Sequence, residues 1–340
     1  MREKILSRAC LVLGCAIATV SCSKPGPLIT HPASIRWPKA PSPARIRYVG
    51  QIRGEPAQRG GVAEVIAGED EEHHDLARPY AATITRSGLL VITDPGDGQI
   101  NIFDLKKRER RTIKRFKSEA LRTPVGAATD GKGHIYVTDS TAAKVYVFTE
   151  GGEPVRILNA SFGRPTGIAI DQHRGVVYVA DTTKHRIQAL SLEGKPLFTF
   201  GRRGAAPGQL NYPTHLAFDA KRGALWVCDT LNFRVQRFAR RGEYISMFGR
   251  LGDSSGTLAK PKGMALDSTG NLYVADALFD TVQVFDEDGK LLLYFGQSGA
   301  GPGNLAMPTG IAIDAQNRIF VANTLNRRIE VFEYLLETAP

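Results

Sequence analysis

Along most of this chain apolar and polar positions alternate in short runs, broken by glycine, proline, aspartate and asparagine. Gly167-Ile168-Ala169-Ile170 is small and apolar. Val176 to Ala180 is β-branched and aromatic. Arg186 to Leu190 and Pro196 to Phe200 follow. Runs of this length and composition predict four short strands. Between the first two lies an Asp-x-x-x-Gly turn (Asp171, Gly175), and between the last two Glu193-Gly194, with glycine supplying a positive φ at no steric cost. The pattern contains no helical layer.

The four-strand pattern recurs. Pro213…Asp219, Leu225…Asp229 and Arg234-Val235-Gln236 copy it, as do Pro261…Asp267 with Leu272…Asp276, and Pro308…Asp314 with Ile319…Asn323 and Arg328-Ile329-Glu330. Weaker copies begin at Pro79 and Pro124. The marker prolines at 79, 124, 165, 213, 261 and 308 are 45, 41, 48, 48 and 47 residues apart. A period of this length made of short strands is the mark of a propeller blade. A lone blade is apolar on both faces, and stacking blades in a ring buries both. The prediction is an all-β, six-bladed propeller over 45–340, with repeats starting near 78, 123, 164, 212, 260 and 307. The sixth repeat lacks a fourth strand. The segment 45–52, with Ile46, Tyr48 and Ile52 on one side, is expected to supply it and close the ring.

The pattern Pro-x-Gly-Ile-Ala-x-Asp, Tyr-Val-Ala-Asp, Asn-x-Arg-Ile-Gln resembles the NHL repeat. So does the linking Phe-Gly-x-x-Gly-x-x-Pro-Gly-Gln-Leu motif seen at 200–210 and 295–305. The resemblance covers roughly residues 78 to 335 and implies a six-bladed β-propeller. It implies no single function, because such propellers bind proteins, RNA or ligands and have enzymes among their relatives. One relative, a peptidyl-hydroxyglycine lyase, holds zinc with several channel histidines. Lactonase-type propellers hold calcium or zinc with a glutamate near the first blade and Asn and Asp partners. Here the first blade begins Arg78-Pro79-Tyr80-Ala81, without that glutamate.

Arg2, Lys4 and Arg8 precede an apolar run, Ala9 to Val20, that is too short to span a bilayer. Ser21-Cys22 follows and resembles a bacterial lipobox. The expectation is a signal peptide over 1–21, lipidation at Cys22 and a proline-rich tether over 22–44. Several acyl chains on Cys22 would give a stable anchor. Ser23 in place of aspartate points to an exported, outer-membrane lipoprotein. With Cys10 and Cys15 removed, only Cys22 and Cys228 remain, so no disulfide or metal-binding cysteine framework is expected.

The formal charge of +10 favours an acidic partner or anionic headgroups. The run Lys106 to Arg111 contains no aromatic residue for base stacking, and nucleic acid is not an expected partner. Asp94, Asp139, Asp181, Asp229 and Asp276, with Asn323 in the sixth repeat, end the second strands. They are read as acceptors for turn N–H groups. Five residues on come Lys144, Arg186, Arg234 and Arg328, taken as candidate binding residues at one mouth. His215 stands where the other repeats have Ala81, Gly126, Gly167, Gly263 and Gly310. One histidine does not make a zinc site, so it is a candidate ligand contact or a hydrogen-bonded structural histidine. The acidic run Glu69 to Asp75 is read as a solvated loop. No cofactor or metal is expected.

The leading expectation is a monomeric, membrane-anchored binding module that docks an envelope protein or a small ligand. The alternative is a channel-based, metal-dependent lyase or hydrolase.

Overall fold

A computed structural model of the chain describes residues 28–30, 35–54, 76–158 and 160–335. The expected signal peptide, Cys22 and the acidic run Glu69 to Asp75 lie outside the described residues. Six antiparallel sheets form the blades of a propeller, and in the first five the strands follow sequence order from the channel outward. Blade 1 runs Ala82–Ile84, Leu90–Asp94, Gln99–Asp104, Glu109–Ile113. Blades 2 to 5 begin with Pro124–Thr129, Pro165–Asp171, Pro213–Asp219 and Pro261–Leu266. A small hairpin, Arg115–Phe116 with Glu119–Ala120, joins blades 1 and 2 and was not expected from the sequence. The end of the ring where each second strand stops, at Asp94 through Asn323, is called the upper face below. It carries the turns between second and third strands and the links between blades. The lower face carries the other two sets of turns.

The alternation in each strand becomes two apolar faces, and each is buried against a neighbour. Six apolar clusters lie between consecutive blades. In one of them Tyr178 of blade 3 stacks on Phe218 of blade 4, with ring centroids 5.8 Å apart. In another Phe248 meets Phe285 at 4.6 Å. Burying one such ring contributes about 2 kcal/mol. Hydrophobic burial between blades is therefore the main force holding the circle.

Ring closure follows the expectation. Ile46–Ile52 pairs antiparallel with Arg328–Tyr334 as the fourth strand of blade 6. Ile46, Tyr48 and Ile52 are fully buried, and the Tyr48 hydroxyl donates to Glu330 at 2.6 Å. The expectation of a tether over 22–44 needs correction. Leu28–Thr30 pairs with Gly50–Ile52, and Arg36–Trp37 pairs with Ile46–Arg47. These residues form an interrupted fifth strand on blade 6. The reason is apolar: Trp37 packs between Phe295 and Phe332, at 6.1 and 5.7 Å. The surrounding prolines hid this from the sequence reading.

Candidate functional site

The upper face is built from one device used six times. In each blade the side chain ending the second strand reaches back to the link entering that blade. Asp94 accepts from the N–H groups of Ala77 and Arg78 at 2.7 and 2.8 Å. Asp139 does so from Arg122 and Thr123, Asp181 from Gly163 and Arg164, and Asp276 from Ala259 and Lys260. Asp229 holds Asn211, and Asn323 holds Ala306. These five carboxylates and one carboxamide are buried and satisfied, which matches the structural role expected of them.

The arginines five residues on are placed otherwise than expected. Arg234 is buried. It donates to Asp229 at 2.8 Å and to the carbonyls of Ala205, Ala206 and Gln209. Arg328 is buried too. It is bonded to Glu330 and donates to the carbonyls of Ala300 and Gly301 at 2.9 Å. Both are anchors of the links between blades and not groups offered to a partner. The physical reason is a shortage of backbone partners: the links have no strand neighbour, so their carbonyls need donors. Arg186 is half-buried, 3.7 Å from Asp181. Lys144 is paired with Glu119 at 2.8 Å, and that pairing holds the Glu119 carboxyl below its ordinary range.

The centre of the upper face is closed by a stack across the ring. His215 in blade 4 lies against Tyr80 in blade 1, the opposite blade, with centroids 5.7 Å apart and planes nearly parallel. The Lys262 ammonium sits over the same tyrosine ring at 5.9 Å. His215 Nδ1 is 3.2 Å from the Thr214 hydroxyl, while Nε2 is buried without a partner. Burial and then the Lys262 charge push the imidazole down to about 3. It is therefore neutral at physiological pH.

The glycines at the equivalent positions explain why only these two rings fit. A Cβ on Gly126 would lie 2.1 Å from the Thr166 carbonyl oxygen, and one on Gly310 would lie 2.4 Å from that of Tyr80. Neighbouring first strands touch there. Below the stack a cavity of about 40 Å³ is bounded by His215 and these glycines. It leads to a wider chamber of about 340 Å³ reached from the lower face. The chamber walls come from positions such as Thr83, Thr129, Ile170, Gln172, Phe218 and Ile313. No side chain there is ionisable. Each first strand is paired on one edge only, so the other edge turns unpaired N–H and C=O groups toward the channel. The chamber is polar but uncharged.

Of the candidates, His215 faces the channel as expected. Tyr80 and Lys262, which complete its surroundings, were not singled out, because only the ring geometry brings residues 80, 215 and 262 together. Cys228 is buried, its thiol pushed up to about 11 by burial, as suits an inert core residue. Among the described residues no cluster of three His, Cys, Asp or Glu side chains is placed to hold a metal ion. The channel lining likewise lacks the carboxylate of a lactonase-type metal site and does not fit such a cation.

The fold and its repeats define a six-bladed β-propeller of NHL repeats. The chain belongs to the SMP-30/gluconolactonase/LRE-like family, whose model matches residues 67–249. A six-bladed β-propeller family matches 254–339. The E3 ubiquitin-protein ligase NHLRC1 of Homo sapiens is 29% identical over 127 residues, which is 36% of this chain and 31% of that protein. The chain thus spans about a third of that relative. Among solved structures, a streptogramin B lyase superposes with a TM-score of 0.57 at 14% identity, covering 76% of this chain and 94% of the other. A chain of a nidogen/laminin complex gives 0.58 at 20% identity, covering 82% and 94%. At these identities the likeness is one of fold.

Proposed function

We propose that the protein is a non-catalytic binding and scaffold module of the bacterial cell envelope, exported and anchored through Cys22. It docks a protein partner or small ligand at a propeller mouth. The observation that carries this reading is the channel. It is stoppered above by Tyr80 and His215 and open below into a chamber without an ionisable side chain. General acid–base or nucleophilic catalysis needs a titratable group within hydrogen-bond reach of the reacting atom. The lower chamber offers backbone amides, hydroxyls and an amide side chain, which suit recognition of an uncharged polar group. A chain of similar shape occurs in a nidogen/laminin complex, which favours protein docking.

The test is photocrosslinking of the full-length protein in its native membranes from position 172 at the lower mouth. A stoichiometric envelope partner, lost on Thr83→Trp, is the expected result. Crosslinking unchanged by that substitution would reject the lower mouth as the docking site.

A second reading is favoured by one observation. His215 keeps Nε2 free beside Lys262, and solved structures of similar shape include streptogramin B lyase and virginiamycin B lyase. On this reading His215 would handle a proton at the upper end of the channel. Turnover of a candidate substrate that disappears in His215→Ala, with the fold intact, would establish it.

A further inference from the structure

The two faces of the ring differ in where apolar side chains are exposed. Outside the outer strands, every exposed large apolar side chain among the described residues is on the upper face: Tyr212, Leu231, Leu251, Leu278 and Leu325. Three of them occupy one position of the repeat, two residues after the end of the second strand. Leu231, Leu278 and Leu325 are 48%, 66% and 64% exposed, and they stand on the consecutive blades 4, 5 and 6. Blades 1 to 3 have Gly96, Thr141 and Thr183 there. Exposed leucines at matching places on three neighbouring turns give this half of the face a repeated apolar tip that the other half lacks.

On the same face exposed cations stand just before the marker prolines: Arg78 and Arg164 directly before theirs in blades 1 and 3, Arg122 two residues before Pro124 in blade 2, and Lys260 in blade 5 beside the leucines. Asp97 and Asp253 are exposed carboxylates at this end. The described chain also stops at Gly54 and resumes at Leu76 on this face, and 55–75, with the acidic run, lies outside the described residues.

The path of the chain supplies the direction. Leu28 pairs with Ile52, and Ile52 pairs with Ile329, one residue from the upper end of its strand at Arg328. Leu28, the first described residue, therefore stands at the upper end of blade 6. Cys22 is six residues earlier, a reach of about 20 Å at full extension. A lipid on Cys22 would hold this face, and not the lower one, against the bilayer.

We propose that the upper face is a membrane-contact surface. Leu231, Leu278 and Leu325 enter the headgroup region while the cations of blades 1 to 3 meet lipid phosphates. The lower mouth and its chamber are left facing the partner. The proposal rests on the lipid-anchor reading for the orientation, and on the leucine row independently of it.

The test uses full-length protein in its native membranes. Leu278→Cys on the upper face and Asp288→Cys on the lower are each labelled with an environment-sensitive fluorophore. Cys228 is buried and does not label. Spin-labelled lipid is expected to quench the probe at 278 and leave that at 288 unchanged. Equal quenching, or a probe at 278 that crosslinks to a polypeptide and ignores lipid, would overturn the proposal.

The second arm compares full-length Cys22→Ala with and without Leu231→Ser, Leu278→Ser and Leu325→Ser. The readout is co-sedimentation with vesicles of phosphatidylethanolamine and phosphatidylglycerol. Any contribution of the N-terminal segment cancels in the ratio. A loss of binding of about tenfold or more is expected, and no change would overturn the proposal. If mass spectrometry of the mature N-terminus finds Cys22 without acyl chains, the anchor reading fails while the vesicle ratio still decides the leucine face.

Discussion

Blades 4 and 6 solve one electrostatic problem in opposite ways. In blade 4 the second strand ends in Asp229, which receives Arg234 and Gln236 at 2.8 and 3.0 Å. In blade 6 the second strand ends in Asn323, and the carboxylate has moved across the sheet to Glu330, where blade 4 has Gln236. Arg328 binds Glu330, and Asn323 donates to it at 3.1 Å. The count of buried charge is the same, one carboxylate to one guanidinium. The carboxylate of blade 6 has a further task, because it also receives the Tyr48 hydroxyl of the closing strand. The two blades differ again on the first strand, where His215 fills the place of Gly310. The lesson is that the arginines follow the carboxylate wherever it sits, as structural ions do, while the departure at 215 answers to no such partner.

Removing one carboxylate should break the comparison most. Asp229→Asn or Glu330→Gln leaves a buried arginine uncompensated and should cost about 3–5 kcal/mol in urea unfolding. Adding Gln236→Glu to Asp229→Asn rebuilds the arrangement of blade 6 in blade 4 and should recover most of that loss. A double variant no more stable than the single would refute the exchange.

Next in size is Gly310→Ala. Its Cβ meets the Tyr80 carbonyl, and the cost should be about 2–3 kcal/mol. His215→Ala, at the same place in blade 4, should be much milder by the same assay.

The third effect depends on pH. The folded imidazole of His215 lies near 3, below its ordinary value, so the folded state stays neutral where the unfolded chain takes up a proton. The stability it contributes is complete above about pH 6.5 and is lost as pH falls toward 3, at roughly 1.4 kcal/mol per unit. The gap between wild type and His215→Ala, followed from pH 7 to 4.5, should shift by that slope. A constant gap would mean that the ring is not buried as described.

The smallest effect is expected for Arg186→Met. Its half-exposed contact with Asp181 at 3.7 Å should be worth no more than about 0.5 kcal/mol.

The repeat made the fold legible, down to the closing strand, because alternation and turn chemistry are local and were written six times. The role of the aspartates was legible for the same reason. Arg234 and Arg328 were misread as partner-facing because a sequence shows their charge but not the carbonyls of Ala205 and Ala300 that lie above them. The strand at Arg36–Trp37 was hidden by proline density, although Trp37 is the residue that pays for it. The Tyr80–His215 stack joins blades three apart, a relation that no spacing along the chain can express.

Closure by the N-terminal strand also fixes an order in time. Ile46–Ile52 is among the first described segments to be synthesised, and its partner Arg328–Tyr334 is the last. Five blades can be complete while the sixth still waits for an edge made at the beginning. The ring therefore closes only when the last blade meets a strand made before the first, and a chain cut short before Arg328 has a strand with nowhere to go and a ring that stays open.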